Sequence, residues 1–192
     1  MDRINIIFWG VIGTLFAASV FFGMNAESQR RAIHHVGGKL ENGDVVRLEQ
    51  VIDGDTVLVS KENTPPTTIR ILGIKAFAAK VEKDPASIFG KMAVEELSRQ
   101  MKGHPVRIML NSPPKDSRGR FLATLYVNDR DIGLDLVNRG VVLVYSVYPF
   151  PAMPIYLHEQ ELARAKRKGL WGDREVKTRA ISLITSWQEQ QR

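Results

Sequence analysis

The sequence predicts an α+β fold, a small OB-type barrel of five strands with helices between and after them, preceded by a single membrane-crossing helix. Three observations carry that prediction. Two apolar, β-rich runs meet at Asp53-Gly54-Asp55, and a third follows with Arg70 inside it. Strand-like and helix-like runs then alternate as far as Trp171. Residues 4–24 are apolar apart from Asn5, Thr14 and Ser19, and none is charged.

The apolar run sets the organisation of the amino-terminal part. As a helix it spans about 31 Å, close to the roughly 30 Å hydrocarbon thickness of a bilayer. It exceeds the short apolar core of a cleaved signal peptide, and Met24-Asn25-Ala26 is a poor small-x-small cleavage site. Residues 1–25 therefore read as an uncleaved anchor. Arg30, Arg31 and Lys39 follow it and Arg3 precedes it, which by the positive-inside tendency puts the rest of the chain on the cytoplasmic side. A short amino-terminal tail kept inside argues the opposite, so the side stays open. Residues 26–43 are polar, hold Gly37-Gly38 and Asn42-Gly43, and read as a tether. His34 and His35 within it are solvated or could bind a metal.

The compact unit follows at 44–173. Val45 to Gln50, Thr56 to Ser60 and Thr67 to Ile74 are short strands with turns between them, hence a meander. Asp-Gly between apolar runs signals a hairpin whose turn needs positive φ. From Ser87 to Met101 the apolar positions Phe89, Ala93, Leu97 and Met101 recur every four residues, which makes one buried helical face, ended by Lys102-Gly103. Pro105 to Leu110 and Phe121 to Val127 are further strands, joined by the charged loop K-D-S-R-G-R. Ile132 to Arg139 is a helix closed by Gly140, Val141 to Val147 is extended, Tyr148 to Pro154 is a proline-rich loop, and Ile155 to Lys168 is helix. At 174–192, Val176, Ala180, Ile184 and Trp187 share one face of an amphipathic helix, docked on its own domain or turned to a membrane or partner.

Composition narrows the chemistry. With 192 residues and no cysteine, the chain has no disulfide, thiolate metal site or cysteine nucleophile. A net charge of +6 favours an anionic partner, nucleic acid or an anionic membrane surface. Asp53 and Asp55, two residues apart about a glycine, with Arg70 in the next strand, outline an anion or metal site at a hairpin. Turn chemistry alone accounts for part of the same pattern. His158-Glu159 lacks the second histidine of a zinc-binding H-E-x-x-H helix, and His104 at a strand entry reads as a surface residue.

Taken in order, D-G-D-T-V, R-I-L-G-I-x-A, a helix with G-x-x-A, D-x-x-G-R-x-L-A-x-L-Y-V, L-V-N-R-G and a lysine-rich run into G-L-W resemble the staphylococcal nuclease (thermonuclease-like) family over about Val46 to Asp173. The resemblance implies a five-stranded OB-type barrel with three helices and calcium-dependent cleavage of DNA or RNA phosphodiesters. It makes Asp55 a calcium ligand and Arg70 and Arg120 the pair that clamps the phosphate. Guanidinium forks suit that task because they match phosphate oxygens bidentately as charge develops on them. Arg118 and Lys115 add positive charge beside Arg120, and Tyr145 and Tyr148 fall near family tyrosines that flank the nucleotide.

One departure bears on the whole reading. Where the family carries Asp-x-Pro-Glu, this chain has Lys75-Ala76-Phe77-Ala78. The second calcium-ligand aspartate falls on Lys75, and the glutamate that resembles a general base falls on Ala78. Calcium takes six to eight oxygen ligands, and an ammonium a few Å away would repel it by several kcal/mol even at an effective dielectric near 20. The expectation is an empty metal site, no cofactor and a domain that binds nucleic acid or a protein partner, with Lys75 either reaching a phosphate or pairing with Asp55. The competing expectation is a metal-dependent endonuclease in which Glu82 or Asp84 supplies the missing carboxylate to Ca2+.

Overall fold

Bulges rather than a continuous ladder shape the first strands of this computed structural model, which describes residues 39–189. The anchor at 4–24, most of the tether, and His34 and His35 lie outside the described residues. Among the described residues no helix is long and apolar enough to cross a membrane.

Strand β1 (Val45–Asp53) pairs antiparallel with β2 (Thr56–Ser60), and its register slips between Leu48 and Gln50 and again between Val51 and Asp53. Each slip adds local twist and bends the strand, so the sheet curls. β2 pairs with β3 (Thr67–Ile71), whose five residues are all buried. β5 (Val106–Lys115) and β6 (Phe121–Val127) form a second antiparallel hairpin, followed by the two-residue β7 (Arg130–Asp131). The sheet order is β3-β2-β1-β5-β6-β7, and β3 also pairs parallel with β6. The seams are short: β1 meets β5 only at Val45 and Val46, and β3 meets β6 at Ile69 to Ile71. The expected barrel is thus a strongly curled, mostly antiparallel sheet that is not fully closed.

The strand expected from Thr67 to Ile74 is interrupted. Gly73 takes φ +78° at the turn with the Phe150 ring against it, and β4 (Ile74–Lys75) leaves to pair with β8 (Leu143–Val144). That redirection decides where Lys75 points. β5 also runs past the expected end at Leu110, through Pro113 and Pro114, on an exposed stretch where no ladder donor is needed.

Among the described residues there are four α-helices, three within the family unit and the expected carboxy-terminal one. α1 (Ser87–Met101) buries Gly90, Ala93, Leu97 and Met101. α2 (Ile132–Arg139) is capped by the Asp131 carboxylate, which accepts from Leu134 N–H at 3.1 Å, and closed by Gly140. α3 (Met153–Ala165) starts inside the expected proline-rich loop, because Pro154 is tolerated in the first turn, where no intrahelical N–H bond is lost. α4 (Arg174–Glu189) docks on its own domain: Val176 and Ala180 are buried with Phe77, Leu143, Leu170 and Trp171, and Ile184 and Trp187 pack at the edge. The main core lies inside the curl and holds Ile69, Ile71, Leu122 and Leu125 together with Leu97 and Met101 of α1.

Candidate nucleic-acid cleft

The β1–β2 turn consists of Gly54-Asp55, since Asp53 pairs with Thr56. Gly54 does not adopt the positive φ expected of it. It is glycine for space, because a Cβ there would fall 2.6 Å from the Ala76 Cβ and 2.8 Å from the Ala93 Cβ. The turn is thereby pressed against α1 and the segment after β4, and Asp55 is turned inward to 2% exposure.

Every side of the Asp55 carboxylate is engaged. One oxygen meets Arg70 and accepts from Thr56 Oγ1 at 3.0 Å. The other accepts from Ala76 N–H at 3.0 Å and faces Lys75 Nζ at 3.4 Å. Burial pushes the Asp55 carboxyl up, but Arg70 and then Lys75 outweigh it and hold the group down at about 2. Asp53 sits beside it, receiving Asp55 N–H at 3.0 Å. Burial and the neighbouring Asp55 charge both raise Asp53, so it takes up a proton before its partner.

Arg70 is likewise enclosed, at 5% exposure. Besides the carboxylate it donates to Asp55 C=O at 3.3 Å and to Ile74 C=O at 2.9 Å, beneath the Tyr145 ring at 5.6 Å. Arg120 is held by Asp116, Nε to carboxylate at 2.8 Å, and reaches Thr56 Oγ1 at 3.4 Å. The two arginines expected to clamp a phosphate therefore spend most of their donors on the protein. Among the cleft cations Lys75, whose side chain is 46% exposed, and Arg118 and Lys80, which have no ion pair among the described residues, are left open.

These groups line one cleft of about 830 Å³. Asp53, Asp55, Arg70, Lys75, Ala78, Arg118 and Arg120 all reach it, as do Tyr145 and Tyr148. Lys115 does not, its ammonium lying 4.6 Å from the centre of the Phe121 ring. Six cationic side chains face three carboxylates across the cleft, an arrangement that attracts a polyanion. Three of those contributors were not foreseen: Lys80, Asp116 and the α4 residue Arg179. Asp116 could have been read from D-S-R-G-R as a loop-closing acceptor; Arg179 had no local signal.

A calcium ion does not fit these residues. Both oxygens of Asp55 are already satisfied, an ammonium stands beside one of them, and no group of three acidic or histidine side chains converges among the described residues. Glu82 and Asp84 do not line the cleft. Asp84 instead accepts from Arg179 at 2.8 and 3.0 Å and from Ala86 N–H at 3.0 Å. His104 borders a different cavity, and Glu159 accepts from Asn138.

Comparison with known proteins decides the family. The profile described as Staphylococcal nuclease homologue matches residues 68–173, more than half of the chain. The chain belongs to that family. An uncharacterized endonuclease of Haemophilus influenzae is 33% identical to this staphylococcal nuclease homologue over 127 residues, 66% of each chain. Protein ParB of Escherichia coli is 33% identical over 143 residues, 68% of this chain and 72% of its own. A thermonuclease of Staphylococcus intermedius is 25% identical over 130 residues, 67% of this chain and 77% of its own. The family segment begins at Thr68 and so takes in Arg70, Lys75, Ala78 and Arg120 but not Asp55.

Proposed function

We propose that this family member binds the sugar-phosphate backbone of nucleic acid in the cleft and lacks calcium-dependent hydrolysis, and that residues 4–24 hold it at a membrane as a single-pass anchor. One observation carries the reading: the Lys75 ammonium stands 3.4 Å from Asp55, on the side of that carboxylate that faces the cleft. A cation fixed there neutralises a carboxylate that would otherwise repel phosphate, and its remaining donors face the solvent. Lys75 and Arg118 then make the first contacts with phosphate oxygens, while Arg70 and Arg120 supply positive potential from behind. Each carboxylate that lines the cleft already accepts from the protein, Asp53 from Asp55 N–H, Asp55 from Thr56 and Ala76, and Asp116 from Arg118 N–H and the Arg120 side chain, so none stands free to activate water. The basic cleft and the family membership support nucleic acid as the partner.

A second reading, metal-dependent endonuclease, is favoured by the names that relatives carry. It requires Glu82 or Asp84 to turn into the cleft, and for Asp84 that means giving up Arg179. Calorimetric titration of the full chain with calcium, with and without an oligonucleotide, followed by a cleavage assay, separates the two. The binding reading expects no calcium heat, no cleavage, and oligonucleotide affinity that falls steeply with salt. Calcium-dependent cleavage would replace it with the endonuclease.

A further inference from the structure

The wall of the cleft that faces away from the sheet is built by α4, which lies beyond the stretch shared with the family. Leu183 and Trp187 reach the cleft from it. The Trp187 ring stands edge-to-face with Tyr145, centroids 4.9 Å apart at 87°, and Tyr145 meets Tyr148 at 5.9 Å and 62°. This aromatic wall begins where the cationic floor ends, because the Arg70 guanidinium lies 5.6 Å from the centre of the Tyr145 ring.

Docking of α4 accounts for only part of the Trp187 ring, which packs at the edge of the α4 cluster. The helix is fastened by its buried residues Val176 and Ala180, by the Asp173 carboxylate accepting from Val176 N–H at 2.9 Å, and by Arg179 bridging to Asp84. Trp187 lies beyond all of these and is only half buried, so a large apolar ring is left beside a charged cleft. A ligand that places a phosphate on the cations and a flat apolar surface against the wall satisfies both halves. A nucleotide with an unpaired base is such a ligand, since every base has a π-face and a duplex keeps that face stacked inside.

We infer that Trp187 is a nucleobase-contacting residue, held by α4 so that an unpaired base stacks on the aromatic wall while its phosphate sits at Lys75 and Arg118. This rests on the proposed binding of the sugar-phosphate backbone in the same cleft.

The test uses the full chain in a neutral detergent and two labelled probes of equal length, a single-stranded oligonucleotide and a base-free deoxyribose-phosphate strand. Binding is read by fluorescence anisotropy for the native protein, Trp187→Ala and Trp187→Phe. The native protein should prefer the strand with bases. Trp187→Ala should weaken that strand by roughly tenfold and leave the base-free strand unchanged, and Trp187→Phe should keep most of the affinity. Unchanged affinity for both strands would overturn the inference. Equal weakening on both, with a lowered melting temperature, would also overturn it and make Trp187 a packing residue of α4. Binding of neither strand by the native protein would instead remove the backbone-binding reading itself.

Discussion

Two arginine–carboxylate pairs line the cleft, linked through Thr56, and they hold different things. Asp55 is bonded to Arg70 on β3, to Lys75 on β4 and to the Ala76 amide, groups that lie 15 to 21 residues along the chain. Asp116 is bonded almost wholly within its own loop, accepting from Arg118 N–H at 2.9 Å, Arg120 N–H at 3.0 Å and the Arg120 side chain. The contact of Arg120 with Thr56 leaves that loop. The chemistry is the same in both. The first pair ties separate strands together, and the second shapes one exposed loop and aims its arginines.

Removing the charge of Asp55 breaks the comparison most sharply. Asp55→Asn leaves Arg70 buried without a counterion and should destabilise the domain by about 3 to 5 kcal/mol in urea unfolding. A loss below about 1 kcal/mol would mean that the tie carries no weight.

Acid acts on the same group. Asp55 is held at about 2, below its unfolded value, so its contribution is complete above roughly pH 4 and is lost as pH falls through 2. The loss should come to about 2 kcal/mol and be missing from Asp55→Asn, which denaturant titrations between pH 5 and 2 can follow. Asp53 has the opposite sign. Its raised value makes protonation favour the folded state, so its contribution grows as pH falls and is fully present below its unfolded value.

Asp116→Asn should cost less, about 1 to 2 kcal/mol, because the loop can open to solvent. Its larger consequence should be weaker binding of an oligonucleotide, as Arg118 and Arg120 lose their placement. Affinity equal to the native protein would show that the loop does not aim them. Arg118→Ala is the smallest perturbation: stability should change by under about 0.5 kcal/mol, and the slope of log affinity against log salt should fall by about one. An unchanged slope would exclude Arg118 from phosphate contact.

Much of this architecture could be read from local pattern. Four-residue spacing placed α1, and the alternating runs about Asp53-Gly54-Asp55 placed the first hairpin. The Asp55, Arg70 and Lys75 cluster followed from motif order, and the structure brings all three together. What could not be read depends on approach between distant segments. Gly54 is set by Ala76 and Ala93 rather than by turn geometry, and β3 ends at Ile71, ahead of the Gly73 turn against which the Phe150 ring packs. Arg179 meets Asp84 across 95 positions, which no periodicity can report. The engagement of Arg70 and Arg120 was hidden for the same reason, since a motif names a residue but not the partners that use up its donors.

The parallel seam between β3 and β6 carries a kinetic consequence. Pairing Ile69 with Phe121 closes a loop of about fifty residues, and the entropy of that closure is met only after nearer contacts exist. The β1–β2–β3 meander and its Asp55–Arg70 tie can form first; the seam that bounds the main core comes late. A mild change within it, such as Ile71→Val, should therefore accelerate unfolding and leave the refolding limb of a chevron nearly in place. A slowed refolding limb would put the seam in the folding nucleus instead.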